Sequence, residues 1–291
     1  NELIFKHKCQ ISYVTSDPND PILKESNVNL KSYYINKLLI LFMQIVNCEI
    51  FIMTLTDLNR FHLKRSTYPV KYIYVYHAIV STHMMYRPGA FDNYDTIFCV
   101  GPHHIKEIRK QEELYKLKNK ELINAGYYRL ERIYKDYKIY NKKSLFSSSE
   151  DTVLIAPSWG NENILKSCGI ELIDLLISSN YNVIVRPHPE TIKRDPNLLK
   201  DISAKFSNNK HFLLETSISS DKSIFESDIL ICDCSGVSLE YAMGTERPVI
   251  FLDYPIKIKN PNYKEIDIDP IELSLRSKMG LILSPEEIDQ I

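Results

Sequence analysis

Short apolar runs recur along the chain, and each is followed by a longer amphipathic stretch. QISYVT, EIFIMTL, KYIYVYHA and TIFCVG have strand character in the first half. TVLIAPS, NVIVRPHP, HFLLET, ILICDC and PVIFLDY have it in the second. Between them lie LKSYYINKLLILFMQIVN, PHHIKEIRKQEELYKL, KSCGIELIDLLISS, NLLKDISAKFS, SIFESD and VSLEYAMG, all with helical spacing. A run that is apolar at nearly every position has no face to offer water, so it must be covered on both sides. Parallel sheets wrapped by crossover helices provide that cover. Around residues 141–151 the sequence NKKSLFSSSED loses the apolar period and turns serine-rich, which marks a linker. The expected fold class is therefore α/β, with two doubly wound Rossmann-like domains facing a cleft. Residues 1–145 form the first, incomplete at its start, and residues 146–291 the second.

Bulk properties narrow the function. The net charge of -1 gives no polycationic surface, so nucleic acid is not an expected partner. The six cysteines are scattered without a Cys-x-x-Cys pair, which points to reduced thiols in a cytoplasm, no disulfide framework and no zinc. The chain begins at Asn1 without methionine and stops in a helical pattern at Ile291, as expected of a fragment or a trimmed chain. Its most apolar stretch, Leu38–Met53, is broken by Gln44, Asn47 and Glu49. It is too short to span a bilayer and is expected to be a buried helix followed by a strand.

Open α/β sheets bind ligands beyond the carboxyl ends of their strands. Four strand ends therefore supply the candidates. His77 ends KYIYVYHA and can act as a general base near neutral pH; packing at a strand end is the other reading. Arg186 and His188 follow NVIV, and Pro187 and Pro189 hold the backbone extended there, projecting two donors suited to phosphate. In ILICDCSGVSLEYAMG the turn DCSG precedes a helix. Asp233 or Ser235 can cap that helix, Gly236 permits close approach, and the free N–H groups suit an anion. Glu240, about a turn in, can accept from ribose hydroxyls. Ser158 and the only tryptophan follow TVLIAP, as ligand contact or as an aromatic plug. Cys232 and Cys234 are expected to share a strand face as small apolar side chains. His103 and His104 open a helix on different faces, so capping and surface roles are expected.

Taken in order, the strand-end histidine, the APSW loop, RPHP and ESDILICDCSGVSLEYAMGTERPVIFLD resemble the CDP-glycerol glycerophosphotransferase family, which has the GT-B fold of many nucleotide-sugar glycosyltransferases. The resemblance runs from about Glu49 to Tyr254. It implies that His77 is the base that deprotonates the acceptor, and that Arg186 and His188 bind donor phosphates, His188 as a cation. Ser235 and Gly236 would form the phosphate-binding turn, with Asp233 and Ser158 beside them, and Glu240 would hold the ribose. The implied reaction moves glycerol phosphate from CDP-glycerol, the substrate, to a hydroxyl of a teichoic-acid-like or other cell-surface polymer, releasing CMP. It needs no further cofactor and no metal. Three departures bear on the donor: Ala78 follows His77 where the family has glycine, DCSG replaces Asp-Tyr-Ser-Ser, and PSWG replaces a threonine-tryptophan-arginine loop. An inverting GT-B glycosyltransferase using a UDP-, CMP- or GDP-sugar, a nucleotide-sugar epimerase and a silent docking module remain open. So does peripheral contact with the inner membrane face through the basic cluster at Lys106–Lys120, a solvated helix face being the other reading.

Overall fold

The computed structural model describes residues 2–141, 145–147, 149–217 and 220–291. Within the expected linker, residues 142–144 and 148 lie outside the described residues. The chain divides into two compact units, residues 1–75 with 89–97, and residues 76–88 with 98–291. This division does not fall at residue 145. The segment that carries His77 and the helix Tyr128–Ile139 both cluster with the second half of the chain.

In the smaller unit, β1 (Ile11–Thr15) pairs in parallel with β2 (Leu30–Tyr34), and β3 (Ile50–Met53) pairs in parallel with β4 (Lys71–Val75). Arg65 ties this unit internally. Its guanidinium donates to the carbonyls of Asn93 and Val70 and to Asp95, and it lies 4.6 Å from the centre of the Tyr72 ring. Two expectations fail here. The first part of the stretch expected to be helical, LKSYYINKLLILFMQIVN, is β2; only Leu39–Ile45 is α-helix. The adjacent tyrosines favour a pleated strand, and local helical spacing does not reveal that. Nor is Leu38–Met53 uniformly buried. Met43 and Met53 are, whereas Leu38, Ile40, Leu41, Ile45, Ile50 and Ile52 are exposed.

Past β5 (Thr96–Cys99) and β6 (Glu121–Asn124), six parallel strands of the larger unit form one sheet in the order β12-β11-β10-β7-β8-β9. Its strands are β7 (Thr152–Ile155), β8 (Asn182–Val185), β9 (Phe212–Leu214), β10 (Ile229–Cys232), β11 (Val249–Leu252) and β12 (Gly280–Leu283). Successive residues of one strand serve opposite faces. Val153, Ile155, Val183, Val185 and Ile231 pack with Leu172, Ile173, Leu176, Leu199, Ile202 and Phe206 from helices on one side. Leu154, Ile184, Leu230, Cys232, Val249 and Phe251 pack with Ile133, Ile224, Phe225 and Tyr241 on the other. This two-sided burial is what the uninterrupted apolar runs required. Ile133 reaches the sheet because the helix Tyr128–Ile139 lies close to the helix Gly236–Thr245. A Cβ on Gly244 would come within 2.5 Å of the Ile133 Cγ2, so glycine is the residue that admits the approach.

Candidate active site

The chain runs from β7 outward to β8 and β9, then returns to place β10 on the other side of β7. The reversal makes a crevice between the carboxyl ends of β7 and β10, where doubly wound sheets take their ligands. Ser158 follows β7, Arg186 and His188 follow β8, and Asp233, Ser235 and Gly236 follow β10. Three neighbouring strands thus bring six of the eight candidate residues to one edge.

Asp233 bridges the crevice. Its buried carboxylate accepts from the Ser158 amide at 2.7 Å and from the Ser158 hydroxyl at 3.0 Å. Burial raises its pKa, and these two bonds act against that rise. Asp233 and Ser158 therefore fix the two loops to each other, and the Asp233 carboxylate is not the helix cap. Ser235 stands at the N-cap position with extended backbone (φ -120°, ψ 140°), but its side chain makes no capping bond. The missing cap leaves the first N–H groups of the helix Gly236–Thr245 available to an anion. Gly236 approaches another part of the protein closely: a Cβ there would lie 3.3 Å from Val80 Cγ1.

Glu240 lies beyond the first turn, since the helix begins at Gly236. Its buried carboxylate accepts from the Tyr127 hydroxyl at 2.7 Å through Oε1 and from Arg129 Nε at 2.7 Å through Oε2. The Tyr127 hydroxyl also lies 3.1 Å from the His77 carbonyl oxygen. Burial and the Glu240 charge raise the Tyr127 pKa far above its ordinary value, so the phenol keeps its proton. Arg129 continues to Asp221 at 3.1 Å, and Arg132 pairs with the same carboxylate at 2.5 Å. Arg186 donates to Ser223 Oγ at 3.1 Å and faces Glu215 at 3.7 Å. Burial lowers its pKa, while the charges of Glu215, Asp221 and Glu240 act against that. Tyr127, Arg129, Arg132 and Asp221 escaped the sequence reading because their roles come from the packing of Tyr128–Ile139, which no strand end announces, and Ser223 because it meets Arg186 from a different helix, Lys222–Glu226.

His188 Nδ1 accepts from the Glu190 amide at 3.1 Å and so caps the short helix Pro189–Arg194. An Nδ1 that accepts carries no proton. Burial lowers the His188 pKa, and Lys257 adds to this. The expected cation is thus a neutral imidazole, with its proton on Nε2 for donation. The His77 side chain is solvent-exposed. Residual desolvation and the charge of Lys259 hold its pKa below the ordinary value, which suits a base at neutral pH.

The loop after His77 is held from several directions. His103 Nε2 and His104 Nε2 each lie 2.9 Å from a carbonyl, of Ile79 and Val80 respectively. His104 is fully buried, and burial pushes its pKa down to about 4, so it holds the loop as a neutral donor. The expected capping and surface roles give way to this clamp. Glu272 accepts from the Ser81 amide at 2.8 Å and hydroxyl at 2.6 Å, and Glu107 accepts from the Thr82 amide at 2.6 Å and hydroxyl at 2.7 Å. His83 Nδ1 lies 3.4 Å from Glu107, and His83 Nε2 lies 2.9 Å from the Ile268 carbonyl.

Two further expectations change. Cys232 is buried in the core, but Cys234 lies past the end of β10 and is only partly buried, so they share no strand face. Burial pushes the Cys234 thiol up to about 12 and Cys232 well above its ordinary value, so neither is a ready nucleophile. In the basic cluster at Lys106–Lys120, Lys120 is buried against Glu112 at 3.6 Å, and Arg109 pairs with the same carboxylate at 2.5 Å. Lys106, Lys116 and Lys118 of the cluster are exposed. No described helix is long and apolar enough to cross a membrane.

A parallel sheet with a switch-point crevice, anion donors at its strand ends and a helix without a side-chain cap beside them defines a Rossmann-like fold of the GT-B kind. Solved structures agree on that fold. A variant of the wall teichoic acid polymerase TagF superposes with TM-score 0.52 at 13% identity, covering 86% of this chain and 65% of that one. The UDP-GlcNAc 2-epimerase of Methanocaldococcus jannaschii, in complex with UDP-GlcNAc and UDP, superposes with TM-score 0.50 at 14% identity, covering 76% of this chain and 61% of that one. The chain thus spans somewhat less than two thirds of either structure's length. No curated protein matches it. Residues 50–260 match the family CDP-glycerol:poly(glycerophosphate) glycerophosphotransferase, and the chain belongs to that family of transferases.

Proposed function

We propose that the chain transfers glycerol phosphate from CDP-glycerol to a hydroxyl of a cell-surface polymer and releases CMP. One observation carries this reading: the family match at residues 50–260 encloses every candidate residue from His77 to Glu240, and six of these line one switch-point crevice. The donor is assigned to residues 146–291, and the acceptor to His77 within residues 1–145. The crevice donors (Arg186, the His188 Nε2 proton and the N–H groups at Gly236) meet the two donor phosphates, and Glu240 meets the ribose. His77 takes the proton of the acceptor hydroxyl as its oxygen attacks the phosphorus that bears glycerol. The phosphoanhydride bond breaks, and CMP leaves with the bridging oxygen, its charge met by the same donors. No cofactor or metal enters the scheme. We place the reaction in the cytoplasm, with peripheral attachment at the inner membrane face where the growing polymer is held.

The test is release of CMP from CDP-glycerol in the presence of a glycerol phosphate oligomer. Wild type should turn over, and His77→Ala and His188→Ala should not, while both stay folded and His188→Ala loses only the stability of one helix cap. Near-normal turnover in both variants would overturn the reading.

A further inference from the structure

Beside His188, which the transferase reading already uses, the strand-end edge carries two cations that it does not, Lys257 and Arg194. Lys257 follows β11, and its Nζ lies 2.9 Å from the centre of the Trp159 ring and 3.5 Å from the Trp159 carbonyl oxygen. The Arg194 guanidinium lies 5.1 Å from the same ring centre, and the His188 ring lies 6.2 Å from it. Trp159, Lys257 and His188 are all half-buried. The carboxylate that acts on Lys257 is Glu190, already engaged by Arg194 at 2.7 Å and Lys193 at 3.5 Å. An indole face attracts an ammonium, but it accommodates two cations less readily than one because their mutual repulsion remains.

We propose that Lys257, Arg194 and the His188 Nε2 proton form a phosphate-binding subsite built around Trp159. A phosphate between them accepts charge-assisted hydrogen bonds and offsets the repulsion that Glu190 alone opposes. The charge pattern fits. Burial together with the charges of Lys259 and Arg194 pushes the Lys257 pKa down to about 8, with Glu190 acting against this. A bound anion reverses that shift, so the ammonium that is strained in the free protein is favoured in the complex. Lys259 stands on the same segment as Lys257, and Arg194, Glu190 and His188 face it from the segment after β8. The inference rests on the transferase reading only for the source of the phosphate, which is either the donor's diphosphate or a phosphodiester of the acceptor polymer.

Trp159 is the only tryptophan of the chain, so its emission reports on this ring alone. Titration with inorganic pyrophosphate at constant ionic strength should change that emission saturably. Lys257→Met and Arg194→Gln should each weaken the binding about tenfold or more, and Lys257→Arg should retain it. Wild-type binding should fall as pH rises through about 8, and the fall should move upward in Lys257→Arg. No saturable change in wild type, or equal affinity in Lys257→Met, would overturn the subsite. Turnover separates this outcome from the fate of the transferase reading. A chain that binds pyrophosphate through Lys257 but never turns over CDP-glycerol loses the donor assignment and keeps the subsite. In an active enzyme, a raised KM for CDP-glycerol in Lys257→Met identifies the donor as the source, and a raised KM for the oligomer identifies the acceptor. If neither KM changes, the subsite is not used.

Discussion

Two parts of the larger unit hold charged groups in close quarters and use them in opposite ways. Around the loop after His77, Glu107 and Glu272 are buried, and each carboxylate accepts from an amide and a hydroxyl of adjacent loop residues. Around Trp159, Lys257 is half-buried with no carboxylate in ion-pair contact among the described residues, and the exposed Arg194 shares the single carboxylate of Glu190 with Lys193. Burial and a perturbed pKa alone would nominate the acidic pair as the chemistry. Charge balance separates the two: Glu107 and Glu272 each hold two adjacent donors of one loop, although Glu107 Oε1 keeps no hydrogen-bond partner, whereas the three cations Lys257, Arg194 and Lys193 have one carboxylate, Glu190, among them.

The comparison can be tested first where the effect is largest. Loss of the His77 imidazole should lower kcat about a thousandfold, within the range for removal of a general base, with folding intact. If His77 belonged with the scaffold, the melting temperature would fall instead. Glu272→Ala should do the converse. It leaves the Ser81 amide and hydroxyl buried without an acceptor, at a cost of about 3 kcal/mol, measured by urea unfolding. A variant as stable as wild type would place Glu272 among the functional groups.

The His83–Glu107 pair gives a smaller, pH-dependent effect. Burial alone would lower the His83 pKa, but Glu107 and the Ile268 carbonyl raise it. Burial alone would raise the Glu107 pKa, but His83 and Thr82 lower it. The Glu107 contribution is present above its ordinary value of 4.5 and is lost as pH falls through its lowered folded pKa. The His83 contribution is full below 6.5 and is lost as pH rises through its raised folded pKa. Unfolding free energies of wild type and Glu107→Gln should therefore differ most between pH 4.5 and 6.5, converge as pH falls further, and at higher pH keep the smaller difference due to the Thr82 donors. The smallest effect belongs to Gly236→Ala. A Cβ 3.3 Å from Val80 Cγ1 should cost about 1 kcal/mol. Val80→Ala in the same chain should recover it, as read from paired melting curves.

The strand ends were legible because apolar runs locate strands and strand order locates the crevice, so Ser158, Arg186, His188 and Gly236 fall where expected. The partners of these residues were not. Glu240 was expected to face ribose hydroxyls, yet Tyr127 and Arg129, which come from a helix placed with the other domain, occupy its two oxygens. His103 and His104 read as surface because adjacent helix positions diverge; a loop folding back over the helix meets both. Lys257 was within reach of the same rule that found the others, since it follows a strand end, but β11 was taken only as the end of the motif. β2 stayed hidden because its tyrosines sit inside a stretch with helical spacing.

The Tyr127 hydroxyl has one proton and two neighbours able to take it, Glu240 at 2.7 Å and the His77 carbonyl at 3.1 Å. A hydroxyl can give that proton fully only once. If a nucleotide hydroxyl donates to Glu240, as proposed above, the phenol is free to turn its proton toward the His77 carbonyl. Under that proposal one hydroxyl couples the Glu240 end of the crevice to the His77 end, and the coupling is the same in either direction.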